Sequence, residues 1–220
     1  LGLGSNHVSD LSPLAGLTNL SFLDLRSCPI SDLSPLAGLT DLRTLLLESS
    51  DGGIISDISP LAGLTNLTDL SLGRNQIGDI SALAGLTNLA ALGLEWNRLS
   101  DLSPLSGLVK LTNLDVCCND VSDLAALSGL TNLTNVDLHG NRIREVPSLC
   151  ALMRLANLDL RENPLNDEAY ATGIPQILAN NPGMTLSYDP PSLSEITVYG
   201  VYTYDTEIAN GDTTPSVPEG

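Results

Sequence analysis

The feature that most limits how this chain can fold is a period. Residues 92–114, LGLEWNRLSDLSPLSGLVKLTNL, hold one full unit, and most of the sequence repeats it. Leu92 and Leu94 alternate with small or polar residues, the pattern of a strand with one buried face. Asn97 and Leu99 follow at fixed offsets. Ser103-Pro104 then reads as an N-cap followed by proline at the first helical position, where the missing N–H is not needed. Gly107 lets the chain turn back. The central strand residues are Leu23, Leu45, Leu70, Leu92, Leu114, Val136 and Leu158, with steps of 22, 25, 22, 22, 22 and 22 residues. The longer step is assigned to a glycine-rich turn at Asp51-Gly52-Gly53, bulging from one coil. A unit this short cannot bury its own apolar face, so copies must stack and share a core.

The unit L-x-x-L-x-L-x-x-N-x-L resembles the leucine-rich repeat. The added SDLSPLAGLTN segment, at residues 9–19 and almost verbatim at 31–40, resembles the bacterial internalin-like subclass with its 22-residue repeats. The resemblance covers residues 1–166. It implies an α/β solenoid, a right-handed horseshoe or arc with a parallel β-sheet on the concave face and short 3-10 or helical turns on the convex face. It also implies a protein or glycan partner on the concave sheet, and a place in a bacterial secreted or cell-surface protein.

Two columns of side chains have structural readings. Asn6, Cys28, Ser50, Asn75, Asn97, Asn119, Asn141 and Asn163 form a ladder whose amides serve backbone groups that the sheet leaves unpaired. Asp10, Asp32, Asp57, Asp79, Asp101 and Asp123, continued by Glu145, stand just ahead of the helical turns. Local capping of N–H groups is the preferred reading, with a calcium-binding column as the alternative.

Between the core leucines, alternate strand residues face the concave surface. One column reads Gly2, Asp24, Leu46, Ser71, Gly93, Asp115, Asp137, Asp159. The next reads Gly4, Arg26, Glu48, Gly73, Glu95, Cys117, His139, Arg161, and the preceding one Phe22, Thr44, Asp69, Ala91, Asn113, Asn135, Asn157. These positions vary while the core positions do not, which marks them as the candidate binding face. Phe22, Leu46 and Trp96 are its apolar anchors, with Arg26, Arg74, Glu48 and Glu95 as a polar rim. Cys117 and His139 share a column on adjacent coils, roughly 5 Å apart at Cα. They are the candidates for a zinc site or nucleophile pair, alongside Asp115, Asp137 and Asp159. An open sheet offers no oxyanion donors and no exclusion of water, so no enzymatic activity and no cofactor is expected. Acidic neighbours should also raise the thiol rather than activate it.

A net charge of −17 with one lysine argues against nucleic acid and anionic membranes, and no apolar run approaches a membrane span. The module is expected to be monomeric. Cys28 and Cys117 lie four coils apart, roughly 19 Å, too far for a disulfide. Cys150 stands where other coils have alanine, and a vicinal Cys117–Cys118 bridge would be unusual, so the cysteines do not fix the compartment. Asn19, Asn66 and Asn132 match the glycosylation sequon only because the repeat contains it. Leu1 falls in mid-repeat, which reads as an excised fragment lacking an N-terminal cap.

Three regions are expected: a solenoid over 1–166 with a truncated first coil, a helical cap over 167–189, and a linker or the start of a β module over 190–220. The last carries strand-like alternation at residues 196–204. The alternative function is an intracellular scaffold or regulatory subunit.

Overall fold

The structure is a computed structural model describing residues 1–191; the strand-like segment at 196–204 lies outside the described residues. Eight short parallel strands form one sheet in chain order. They are β1 (Phe22–Asp24), β2 (Thr44–Leu46), β3 (Asp69–Ser71), β4 (Ala91–Gly93), β5 (Asn113–Asp115), β6 (Asn135–Asp137), β7 (Asn157–Asp159) and β8 (Thr185–Ser187). Every central residue pairs with its counterpart one coil away, Leu23 with Leu45 and so on to Leu158 with Leu186. From Leu23 to Leu158 these central residues are at most 3% exposed. A one-residue slip would turn each of them to water, so burial itself sets the register.

Seven 3-10 turns line the opposite side, from Ser12–Leu14 to Pro147–Ala151. Each aspartate ahead of a turn accepts the N–H two residues on, from Asp10 with Ser12 (2.8 Å) to Asp123 with Ala125 (2.8 Å). The 3-10 turn therefore begins at the serine, and the aspartate rather than Ser103 caps it. These hydrogen bonds hold Asp10, Asp32, Asp57 and Asp101 below the usual carboxylate range. Glu145 does not continue the series, because Pro147 offers no N–H. It accepts from Asn166 at 3.4 Å instead.

The asparagine ladder closes the bend after each strand. Asn119 donates to Leu94, Val116 and Cys117 carbonyls at 3.0–3.1 Å and accepts the Leu99 N–H at 2.9 Å. Cys28 takes part with its thiol, donating to Leu3 at 3.3 Å. Ser50 drops out; its hydroxyl turns to Asp51, where the inserted residues begin. Across that insertion, Asn75 still reaches the Leu47 carbonyl at 3.1 Å. Gly52 sits at φ +84°, and the Gly53 N–H bonds the Arg74 carbonyl at 2.7 Å.

In the first described coil, Leu17 is 44% exposed while its counterpart Leu39 is fully buried. At the other end, a π-helical turn (Ala169–Gly173) runs into α1 (Ile174–Asn180). Pro175 cannot donate an i→i−4 bond, and the Ile174 N–H reaches back to Ala169. Gly173 allows a close approach; a Cβ there would lie 2.4 Å from Val146 Cγ2. Asn181 is buried and ties the cap to the last coil, accepting the Leu155 N–H at 2.8 Å and donating to Leu152 at 2.7 Å. β8 then adds a strand to a segment the sequence marks only as a helical cap.

Candidate functional site

The alternate residues of β2–β8 line an open trough of about 610 Å³ along the concave sheet. Of the candidate residues, Leu46, Asp69, Asp115, Asp137 and Asp159 lie on its floor. Phe22 stands exposed beside it on the first strand. Asp24, Arg26 and Glu48 line a separate depression of about 540 Å³ with Gly2 and Gly4. Strand pairing thus brings the predicted columns into register.

Charge is arranged unevenly along the trough. At each end an arginine clasps the aspartate two residues before it: Arg26 on Asp24 at 2.8–3.0 Å, and Arg161 on Asp159. The Arg26 hydrogen bonds hold Asp24 below the usual range. Burial acts to raise Asp159, but the Arg161 guanidinium outweighs it and the carboxyl stays low. Between these clasps Asp137 has no cation to pair with, and burial followed by repulsion from Asp115 and Asp159 pushes it up. Beside this column runs an amide ladder that sequence reading left unassigned. Asn157 donates to Asn135 at 2.6 Å, and Asn135 to Asn113 at 2.8 Å.

The structure separates Cys117 from His139. Asp115, Cys117 and Asp137 bring ligand atoms within 4.8 Å of one another, and His139 does not join them. Its Nε2 lies 3.8 Å from Glu162 on the far side, while Nδ1 is buried without a partner. Burial and then the two aspartates push the Cys117 thiol far up, which disfavours the thiolate that a nucleophile or a zinc ligand would need. All four cysteines are free.

Arg74 and Trp96 do not project from the strands. They occupy the bend just before the ladder asparagine, at φ +56° and +55°. Ser5, Ser27, Cys118 and Glu162 share this left-handed position, and at Gly140 the repeat supplies the residue that adopts it freely. The Arg74 guanidinium carbon sits 5.4 Å from the Trp96 ring centroid, and the indole is 53% exposed. Glu95, next to it, folds back over the sheet: a Cβ at Gly73 would fall 2.0 Å from its Oε1 and one at Gly93 3.1 Å from its Oε2. Burial raises the Glu95 carboxyl, with Asp115 and Glu48 adding to the effect. Two glycines in variable columns, Gly73 just past β3 and Gly93 at the end of β4, were the only sequence signal for this cradle.

Comparison with known proteins agrees with this architecture. A family profile described as Leucine Rich repeats (2 copies) matches residues 1–38, and one described as Leucine rich repeat matches residues 55–99. Comparison with curated protein sequences gives no match. Among solved structures, an internalin from Listeria monocytogenes (inlF) is 36% identical with a TM-score of 0.76, covering 86% of this chain and 55% of that one. Internalin C2 (inlC2) of the same bacterium is 32% identical with a TM-score of 0.76, covering 86% of this chain and 80% of that one. The chain belongs to the internalin family of leucine-rich repeat proteins. This internalin therefore spans about half the length of the inlF chain and most of inlC2. A plant peptide hormone receptor, RGFR1 in complex with RGF2, is 24% identical with a TM-score of 0.69, covering 86% of this chain and 32% of that one; it shares the fold. Among the described residues of this internalin, no helix is long and apolar enough to cross a membrane.

Proposed function

We propose that this internalin is a non-enzymatic recognition module that seats a protein partner on its concave sheet, within a secreted or surface protein of a bacterium. The carrying observation is the division of labour along each strand. From β3 to β7 one residue of each triplet is sealed in the spine, while its two neighbours line an open trough whose side chains differ from coil to coil. The backbone of the trough is held by parallel pairing and by the asparagine ladder, so docking orders little that is not already ordered. Phe22, Leu46 and Trp96 would supply apolar area, and Asp69, Asp115, Asp137, His139 and the clasped Asp24–Arg26 and Asp159–Arg161 pairs would supply directed polar contacts.

A photo-crosslinking residue at Asn113, exposed on the trough, is compared with one at Ala125 on the opposite 3-10 turn. Partner proteins from cell-surface extracts should be captured from Asn113. Capture from Ala125 alone would place recognition on the convex side. The second reading is an intracellular scaffold; recovery of the protein in the cytoplasmic fraction of its native cell, rather than at the surface or in the medium, would support it.

A further inference from the structure

We propose that Glu95, Trp96 and the two glycines beneath the Glu95 carboxylate, Gly73 and Gly93, form an anchor site for a lysine or arginine side chain of the protein partner. This deepens the concave reading and rests on it. Three features of the site point to this ligand.

The first is Glu95. Its carboxylate lies folded over Gly73 and Gly93. None of the four ion pairs among the described residues includes it. Glu48 and Asp115 deepen the negative field there, and Arg74 is the cation that acts against it. A partly desolvated, unpaired carboxylate is an unfavourable arrangement for the free protein, and an incoming cation relieves it.

The second is the glycines. Neither Gly73 nor Gly93 has a positive φ, so the backbone does not demand them. At Gly93, inside β4, glycine costs roughly 0.5–1 kcal/mol relative to alanine. What they provide is space: at Gly73 any side chain would expel the Glu95 carboxylate. The counterparts of Gly73 on the neighbouring coils are Glu48 and Glu95, both large, and those of Gly93 are Ser71 and Asp115.

The third is Trp96. A bulky residue at φ +55° is disfavoured, and although Arg74 and Glu162 also occupy this position, Trp96 is the one aromatic placed there among the described residues. More than half exposed, the ring contributes little to the core. An indole face attracts cations, and Arg74 already stacks on it. A carboxylate laid over two glycines, an exposed indole on the next residue and the carboxylates of Glu48 and Asp115 acting on the same site are complementary to an alkyl-ammonium or guanidinium group.

Trp96 is the sole tryptophan of the chain, so its fluorescence reports on the site. A short oligolysine peptide is titrated into the full chain and into two variants with the same charge change, Glu95→Gln and Asp41→Asn. Asp41 is exposed outside the trough, where neighbouring coils carry asparagine. The expected result is a blue shift of the emission with the wild type and with Asp41→Asn, and roughly tenfold weaker binding in Glu95→Gln. Equal losses in the two variants would show general attraction to an acidic protein and overturn the proposal. So would the same shift with an oligoglutamate peptide. Crosslinking from Asn113 together with unchanged oligolysine affinity in Glu95→Gln would remove the basic anchor and leave concave recognition standing. Loss of concave crosslinking would instead remove the reading beneath it.

Discussion

Truncating one rung of the asparagine ladder tests what holds the coils together. In Asn119→Ala, four hydrogen bonds disappear, but their loss is not equal. The Leu94 carbonyl still receives the Asn97 amide, the Val116 carbonyl the Asn141 amide, and the Cys117 carbonyl the Trp96 N–H. Only the Leu99 N–H has its acceptor in Asn119 alone. An orphaned buried N–H costs about 1–3 kcal/mol, and the void left by the amide adds roughly 1 kcal/mol. The sum, roughly 2–4 kcal/mol, is a large share of the 5–15 kcal/mol typical of a domain. Urea unfolding followed by far-UV circular dichroism measures it. The control is Asn113→Ala, which loses one exposed amide contact and should cost below about 0.5 kcal/mol. Asn119→Asp should be worse than alanine: it keeps the acceptor but sets a buried carboxylate against three carbonyl oxygens. Equal midpoints for Asn119→Ala and Asn113→Ala, or an aspartate variant as stable as wild type, would refute the shared-carbonyl account.

Other consequences can be checked with the same protein. Gly53→Ala places a Cβ 2.0 Å from the Asn75 Oδ1 and 3.0 Å from the Arg74 carbonyl, so it should lower stability by about 1–3 kcal/mol, whereas Gly52→Ala should act through its φ of +84° alone. Asp137 has its carboxyl raised in the folded state, so its ionisation opposes folding; the associated stability is present at low pH and is lost as pH rises through the raised value. Asp137→Asn should therefore stabilise at neutral pH by roughly 0.5 kcal/mol, with the gain vanishing in acid below the ordinary carboxylate range. A gain that persists there would assign the effect to something other than charge. Burial pushes Cys117, Cys118 and Cys150 up, so Ellman's reagent should label these thiols slowly in the native protein and promptly in urea; rapid native labelling of Cys117 would contradict its enclosure.

Much of this molecule was legible without coordinates because a solenoid converts sequence period directly into spatial neighbours. The leucine spine, the ladder, the aspartate caps and the two strand columns that line the trough all follow from stacking like on like, and the pairing places them so. Errors arose where one coil departed from its neighbours. Ser50 leaves the ladder at the insertion, Glu145 meets a proline without an N–H, and β8 forms where the repeat has already ended. A three-residue strand flanked by a helix carries no period of its own.

What tertiary structure alone decided is the direction in which long side chains lean. Column membership puts Cys117 and His139 about one strand spacing apart, yet the imidazole turns towards Glu162 while Asp115 and Asp137 converge on the thiol. It likewise cannot announce that Glu95 folds over two glycines, or that Trp96 stands at a left-handed bend beneath an arginine. Backbone stacking is dictated by a summed apolar pattern that many residues report together. A rotamer on the open face answers to a few local contacts and charges, and those exist only once the coils are in place.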